Sequence, residues 1–281
     1  MLISDKSGEK MKIVIPSHNR SESIRSLEMV PDSYSKNVYI VVRSGEQYEK
    51  YKKYEDKYNV LAFDNLKGIS DKRDAICRHF ADQKIWMVDD DCSLHCAYLN
   101  EEKDIIKVYK ERANEQEFYE CMDYCSDLID TYPYAVLRPQ IFPKGKKAWP
   151  YNLNSWAFTN SFLNLKTLDA DTLRYDLLPY SEDIVAFLST IDAGYDVANV
   201  SKWMVKTMKP GHSGGMSDIR DAELIEHASA ELGRLFPMHI KLNNKALPIK
   251  TANGMVQSKI GIRVQPNIKY RDKMITQNTL F

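Results

Sequence analysis

The sequence predicts an α/β protein built on a mainly parallel sheet flanked by helices. Two observations carry this. Short, unbroken apolar runs alternate with helix-like stretches over about the first ninety residues, and such runs suit strands buried on both faces. Four of these runs end in polar clusters, where open α/β sheets bind ligands.

The elements follow in order. Lys12-Ile13-Val14-Ile15 reads as a strand stopped by Pro16, and Ser21 or Ser23 is placed to cap a helix through Met29. Val38 to Val42 is a second strand, Gln47 to Tyr58 a charged, Tyr-rich helix, and Val60 to Phe63 a third strand. Ser70 to Phe80 reads as a helix and Ile85-Trp86-Met87-Val88 as a fourth strand. A long helix is expected from about Asp104 to Asp130, because Ile105, Val108, Phe118, Met122, Cys125 and Ile129 fall mostly at helical spacing. Strands are expected at Tyr134–Arg138, Ser155–Phe158 and Asp196–Val200, and helices after Ser181 and over Asp221–Leu235. The organisation expected is a unit over 11–220, with halves at 11–100 and 101–220, then a helix and basic tail over 221–281.

Composition bounds the rest. Apolar residues make up 43% of the 281, ample for a core, and no apolar run approaches the eighteen or so residues of a membrane span. The polar N-terminus is not a secretory signal, so a cytoplasmic protein is expected. Five cysteines, an odd count, suit free thiols in a reducing compartment, although the i,i+4 pairs Cys92/Cys96 and Cys121/Cys125 leave a zinc site open. The net charge of zero is unevenly spread: residues 241–281 hold eight Lys or Arg and one acid, so they carry +7 and the remainder −7. With Lys144-Gly145-Lys146-Lys147, this tail suggests an anionic partner such as DNA; a solvated surface tail is the alternative.

The chemistry concentrates at Asp89-Asp90-Asp91, directly after the fourth strand. Three acids at one strand end are costly unless paired. A hard divalent cation relieves them, and Mg²⁺ typically takes one or two carboxylates plus substrate phosphates. An acidic turn capping a helix is the other reading. Gly68-Ile69-Ser70-Asp71-Lys72-Arg73 opens a helix whose N-terminus favours phosphate, with Arg73 either clamping a diphosphate or lying exposed. Ser181-Glu182-Asp183 begins a helix, as a cap with dipole-matched acids or as the seat of a general base. His212, in a glycine-rich loop, either completes a metal shell with Asp91, touches the diphosphate or is structural. Trp156, beside the basic cluster, is a candidate ligand wall.

In this order, Ile13 through Arg20, Gly68 through Arg73, Val88 through Asp91 and Ser181 through Asp183 resemble the motifs of glycosyltransferases with the Rossmann-like GT-A fold, over roughly residues 11–220. The resemblance implies a nucleotide-sugar donor, such as a UDP-sugar, with Mn²⁺ or Mg²⁺. It implies nucleoside contacts at Pro16, His18 and Arg20, a base or ribose contact at Arg43 or Asp64, and diphosphate contacts at Gly68 and Arg73. It makes Asp89 and Asp91 the metal pair, with His212 a third ligand, and Asp183 the catalytic base, with Glu182 second. The second-strand acid of that family is absent near Arg43 unless Glu46 serves. The small size, seventeen tyrosines, basic tail and lack of a membrane element also resemble compact glycosyltransferases of large DNA phages, which act on hydroxymethylated pyrimidines; this implies hydroxymethylcytosine in phage DNA as acceptor and the host cytoplasm as the place. A glycan, lipid or protein acceptor, a nucleotidyltransferase, and a non-catalytic nucleic-acid-binding protein are the rival readings.

Overall fold

The structure, a computed structural model, describes residues 10–139, 146–155, 160–207, 222–243, 247–251, 254–258, 261–269 and 272. The first half alternates as expected: β1 (Lys12–Pro16), β2 (Val38–Arg43), α1 (Glu46–Tyr51), β3 (Asn59–Phe63), α2 (Ile69–His79) and β4 (Lys84–Met87). Then come β5 (Ser93–Asn100), β6 (Ile105–Val108), α3 (Glu115–Thr131), β7 (Tyr134–Pro139), β8 (Tyr151–Leu153), β9 (Ser161–Asn164), α4 (Ala170–Leu173), α5 (Glu182–Asp192) and β10 (Val197–Lys206). The C-terminal part holds α6 (Ala222–Leu235), β11 (Ile240–Asn243), β12 (Leu247–Thr251), β13 (Gly254–Ser258) and β14 (Gly261–Val264).

Ten strands form one sheet in the order β3-β2-β1-β4-β9-β7-β10-β5-β6, with β8 also pairing β10. Following the pairings, β1, β2, β3, β4, β6, β7 and β10 run one way, and β5, β8 and β9 the other. The mainly parallel sheet is therefore present. One face packs against α3 through Phe118, Cys121, Met122, Cys125 and Ile129. The other is covered by α2, α5 and α6, through Ile76, Phe187, Leu188 and Leu232 among others. Each such fully buried side chain contributes about 1.5–3 kcal/mol. The two halves of the sheet meet where β4 pairs with β9, Lys84↔Asn164 through Met87↔Ser161. There Trp86 and Phe162 stack with centroids 4.9 Å apart and planes 7° from parallel.

Several elements depart from expectation for physical reasons. Arg25–Met29 is a single 3-10 turn, not a helix from Ser21; Ser26 is wholly buried there and spends its hydroxyl on the β4 exit loop. The charged helix ends at Tyr51, followed by a 3-10 turn over Lys52–Tyr54. The expected helix from Asp104 is divided. Asp104 takes φ 48°, Ile105–Val108 pairs with Ala97–Asn100 as a hairpin, and α3 starts only at Glu115. Its start is set by a capping box in which Asn114 and Glu117 bond each other's backbone N–H. Ser155–Phe158 is described only at Ser155, and the neighbouring strand is β9. The basic tail contains two small two-stranded sheets, β11 with β14 and β12 with β13.

Candidate active site

The carboxyl ends of β1 and β4 are adjacent because the two strands pair in parallel. Val88 extends this register, its N–H donating to Val14 O at 3.0 Å. The chain then turns through Asp89-Asp90-Asp91, and one hydroxyl fastens the turn. Ser26 Oγ donates to Asp89 O, accepts from Cys92 N at 2.9 Å, and Ser26 N donates to Asp90 O at 3.3 Å.

The three acids have different surroundings. Asp90 is buried, and it accepts from Ser17 Oγ at 2.5 Å and from Arg20 Nη1 at 2.5 Å. Arg20 Nη1 also lies 3.0 Å from Asp91 Oδ2. Asp89 is the most open, with its side chain 28% exposed, and is held from one side by Arg73 Nη2 at 2.7 Å. Burial raises the Asp90 and Asp91 carboxyls; for Asp91 the neighbouring Asp89 charge adds to this, while Arg20 opposes it in both. Burial works against the Arg20 charge, but Asp90 and Asp91 more than offset it.

Arg73 connects this loop to the second acidic pair. It is 1% exposed. Its Nη2 holds Asp89, its Nε lies 3.1 Å from Glu182 Oε1 as an ion pair without an aligned hydrogen bond, and its Nη1 faces Met87 Sδ at 3.5 Å. Lys72, also buried, donates to Ser17 O at 2.5 Å, and burial lowers its ammonium to about 8 despite the attraction of Asp90. Both cations sit on the inner face of α2, an arrangement that only facing carboxylates stabilise.

Glu182 and Asp183 open α5. Ser181 stands at the cap position, but its side chain makes no capping bond and its φ is 61°, so the expected hydroxyl cap is replaced by a left-handed residue. Such strain gathers at functional sites. Burial raises both carboxyls, and Arg73 pulls both back down. The two differ in what they hold: Glu182 is tied to Arg73, whereas Asp183 is half-buried and, among the described residues, its Oδ1 accepts its neighbour's Ile184 N–H at 2.9 Å and forms no ion pair.

The remaining expected contacts line the same strand ends. Pro16 is buried at the end of β1. His18 is exposed, with Nδ1 2.5 Å from Gln47 Nε2 and Nε2 3.1 Å from Asn19 Nδ2. Arg43 and Asp64 are exposed at the ends of β2 and β3, where Ser44 Oγ donates to Asp64. Glu46 is exposed and paired with Lys50. Gly68 stands before α2, and a Cβ there would meet nothing within 4 Å, so open space faces that helix N-terminus. Trp156, His212 and Lys144 lie outside the described residues. Lys147 is exposed. Sequence reasoning missed Ser17, Ser26, Gln47 and Lys72. Lys72 alone left a signal, a charged residue at the inward spacing of α2.

The site suits a divalent cation. Five carboxylates (Asp89, Asp90, Asp91, Glu182, Asp183) outnumber the three cationic side chains among them (Arg20, Lys72, Arg73), and burial raises four of the five acids. Asp89 and Asp91 are the more open of the loop acids and offer hard oxygen donors. Among the described residues no three His, Cys, Asp or Glu side chains converge as a complete metal cluster, so further ligands must come from substrate, water or other parts of the chain.

Acids clustered about a buried arginine at parallel strand ends place the candidate site where open α/β sheets bind ligands. Residues 11–215 match the profile of TAGT, the TET-Associated Glycosyltransferase family, and the chain belongs to that family; it is a glycosyltransferase. It is 31% identical over 230 residues to the Beta-glucosyl-HMC-alpha-glucosyl-transferase of Enterobacteria phage T2, and 32% identical over 234 residues to that of Enterobacteria phage T6, with 81% of each chain covered in both cases. Among solved structures it is similar to GalNAc-T7 with UDP, GalNAc and Mn²⁺, at a TM-score of 0.46 and 10% identity, covering 82% of this chain and 54% of that one.

Proposed function

We propose that this glycosyltransferase moves a sugar from a nucleotide-sugar, with Mn²⁺ or Mg²⁺ at Asp89 and Asp91, to a hydroxyl carried on hydroxymethylcytosine in phage DNA within the host cytoplasm. The observation that carries the reading is the acidic cluster built around Arg73 at the carboxyl ends of β1 and β4. The relatives named for β-glucosyl-HMC support the acceptor class, and the basic tail and Lys147 supply charge for a DNA backbone.

The donor lies across the strand ends, its nucleoside toward His18, Arg20, Arg43 and Asp64 and its diphosphate toward Gly68 and the α2 N-terminus. Asp89 and Asp91 would hold the divalent cation, which when bound would supply Lewis-acid neutralisation of the leaving diphosphate. Arg73 is buried between Asp89 and Glu182, so its role is to hold the acids at one spacing, in place of the direct phosphate contact expected from its position in the motif. Asp183, free of the ion pair that engages Glu182, receives the acceptor proton at Oδ2. Its burial-raised carboxyl is a stronger base than an ordinary aspartate. A modified base in a duplex must leave the stack to reach this edge.

The test is a transfer panel with UDP-sugars and Mn²⁺, using DNA that contains cytosine, hydroxymethylcytosine or β-glucosyl-hydroxymethylcytosine. Product mass identifies donor and acceptor together. Transfer only to glycan or protein, or release of pyrophosphate in place of nucleoside diphosphate, refutes the reading. A product that retains the donor's anomeric configuration reassigns Asp183 to orienting the acceptor hydroxyl.

A further inference from the structure

Arg138 is the last residue before Pro139 in β7. It is 5% exposed, yet among the described residues no carboxylate pairs with it. Its Nη2 donates to Asn152 and reaches Ser155 Oγ at 3.4 Å, and its Nε has no hydrogen-bond partner. The frame around it is ordered: Asn152 Nδ2 donates to Ser155 Oγ, and Ser155 N donates to Asn199 Oδ1 at 2.9 Å. Burial lowers its guanidinium, and among the described residues no opposing charge restores it. Arg20, half-buried, and Arg73, buried, at the same sheet edge are each held by two carboxylates.

The sequence repeats this imbalance. From Thr131 to Leu168 the chain holds Arg138, Lys144, Lys146, Lys147 and Lys166 and no Asp or Glu. Position matters equally. β7 runs parallel to β4 with only β9 between them, so Arg138 shares the ligand edge with Asp89 at about 10 Å, two strand spacings. A buried, unneutralised guanidinium is costly to keep. Neutral hydroxyls and amides already surround it, and what it lacks is an anion, for which its planar fork is the natural partner of phosphate.

We propose that Arg138, framed by Asn152 and Ser155, is a phosphate subsite that takes a phosphodiester of the DNA acceptor. This rests on the reading of the acceptor as DNA. The same chemistry is present in the donor diphosphate, so the experiment has two arms. Wild type, Arg138→Gln and Arg138→Lys are compared for binding to hydroxymethylcytosine DNA across 50–200 mM salt, and for hydrolysis of UDP-glucose without DNA. In the DNA arm, Arg138→Gln weakens binding about ten- to a hundred-fold, the range of a charge-assisted hydrogen bond, and lowers the slope of log affinity against log salt by about one. Arg138→Lys keeps the slope and loses only part of the affinity. In the donor arm, KM for UDP-glucose is unchanged in both variants.

Thermal unfolding excludes a merely structural role. Arg138→Gln leaves Tm unchanged or raises it, because a buried charge without a counterion is removed. Unchanged DNA affinity and salt slope with a lowered Tm overturn the proposal, and so does a raised KM for UDP-glucose with unchanged DNA binding, which moves the subsite to the donor. Wild type that binds no DNA at all refutes the acceptor reading itself, and the subsite falls with it.

Discussion

Replacing Arg73 with methionine tests the architecture of the site through its stability. Arg73 is 1% exposed and neutralises Asp89 at 2.7 Å and Glu182 at 3.1 Å. Methionine fills similar apolar volume but leaves both acids without their cation. Removing one partner of a buried pair costs about 3–5 kcal/mol. Most of this falls on Glu182, whose side chain is 9% exposed, because Asp89 at 28% is partly screened. At about 2–4 °C per kcal/mol for a domain near this size, Tm drops by about 10 °C. The pH dependence has a defined sign. Burial holds the Glu182 and Asp183 carboxyls above their ordinary values and Arg73 restrains that rise, so the variant raises them further. Between the ordinary and the raised value the native state holds more protons than the unfolded chain, so stability falls as pH rises through that window. The deficit of Arg73→Met is therefore larger at pH 8 than at pH 6.5 and shrinks toward pH 5 as the acids take up protons. Urea melts followed by fluorescence of the buried Trp86 and Trp203 at pH 5, 6.5 and 8 measure it. The double variant Arg73→Met/Glu182→Gln recovers part of the loss. A deficit below about 1 kcal/mol, or one independent of pH, refutes the role given to Arg73.

Three further outcomes follow from the same geometry. Asp91→Asn retains the fold but loses Mn²⁺ affinity by calorimetry and at least about a hundredfold in transfer rate; chelation with EDTA reproduces the loss in wild type. Asp183→Asn lowers kcat by about 10²–10⁴, and the wild-type rate rises with pH through a carboxyl value above the ordinary aspartate range, because the base acts when deprotonated and burial has raised it. Gly68→Ala leaves stability within about 0.5 kcal/mol, since its Cβ meets nothing within 4 Å, but raises KM for the donor; Gly45→Ala, at φ 78°, costs about 1 kcal/mol without altering that KM.

The strands of the first half, β1 to β4, were readable because each is a continuous apolar run bounded by turn residues. The position of Asp89–Asp91 at a strand end was readable from the apolar run before it, but an acidic turn and a metal site read alike in the sequence, and the partners Ser17, Arg20 and Arg73 come from distant parts of the chain. What escaped the sequence was whatever depends on partners distant along the chain. Arg73 reads equally as an exposed helical arginine or a phosphate clamp until α5 brings Glu182 against it. Ile105 and Val108 match a helical period as well as a hairpin, and only the left-handed Asp104 and the cap at Asn114 separate the two. Ser181 has the right identity for a cap, yet its backbone conformation excludes that use. Arg138 looked like an ordinary strand residue because its lack of a counterion is visible only once its neighbours are known.

The β4–β9 ladder with its Trp86–Phe162 stack joins the two halves of the sheet into one. Opening the enzyme like a clam would mean tearing that ladder and unstacking two fully buried rings. The two halves of the sheet are thus bolted together. On the proposed reading, with DNA as acceptor, adaptation comes from the nucleic acid, which delivers its modified nucleotide to a fixed sheet edge. Turnover should accordingly rise wherever a lesion, mismatch or nick has already loosened the target.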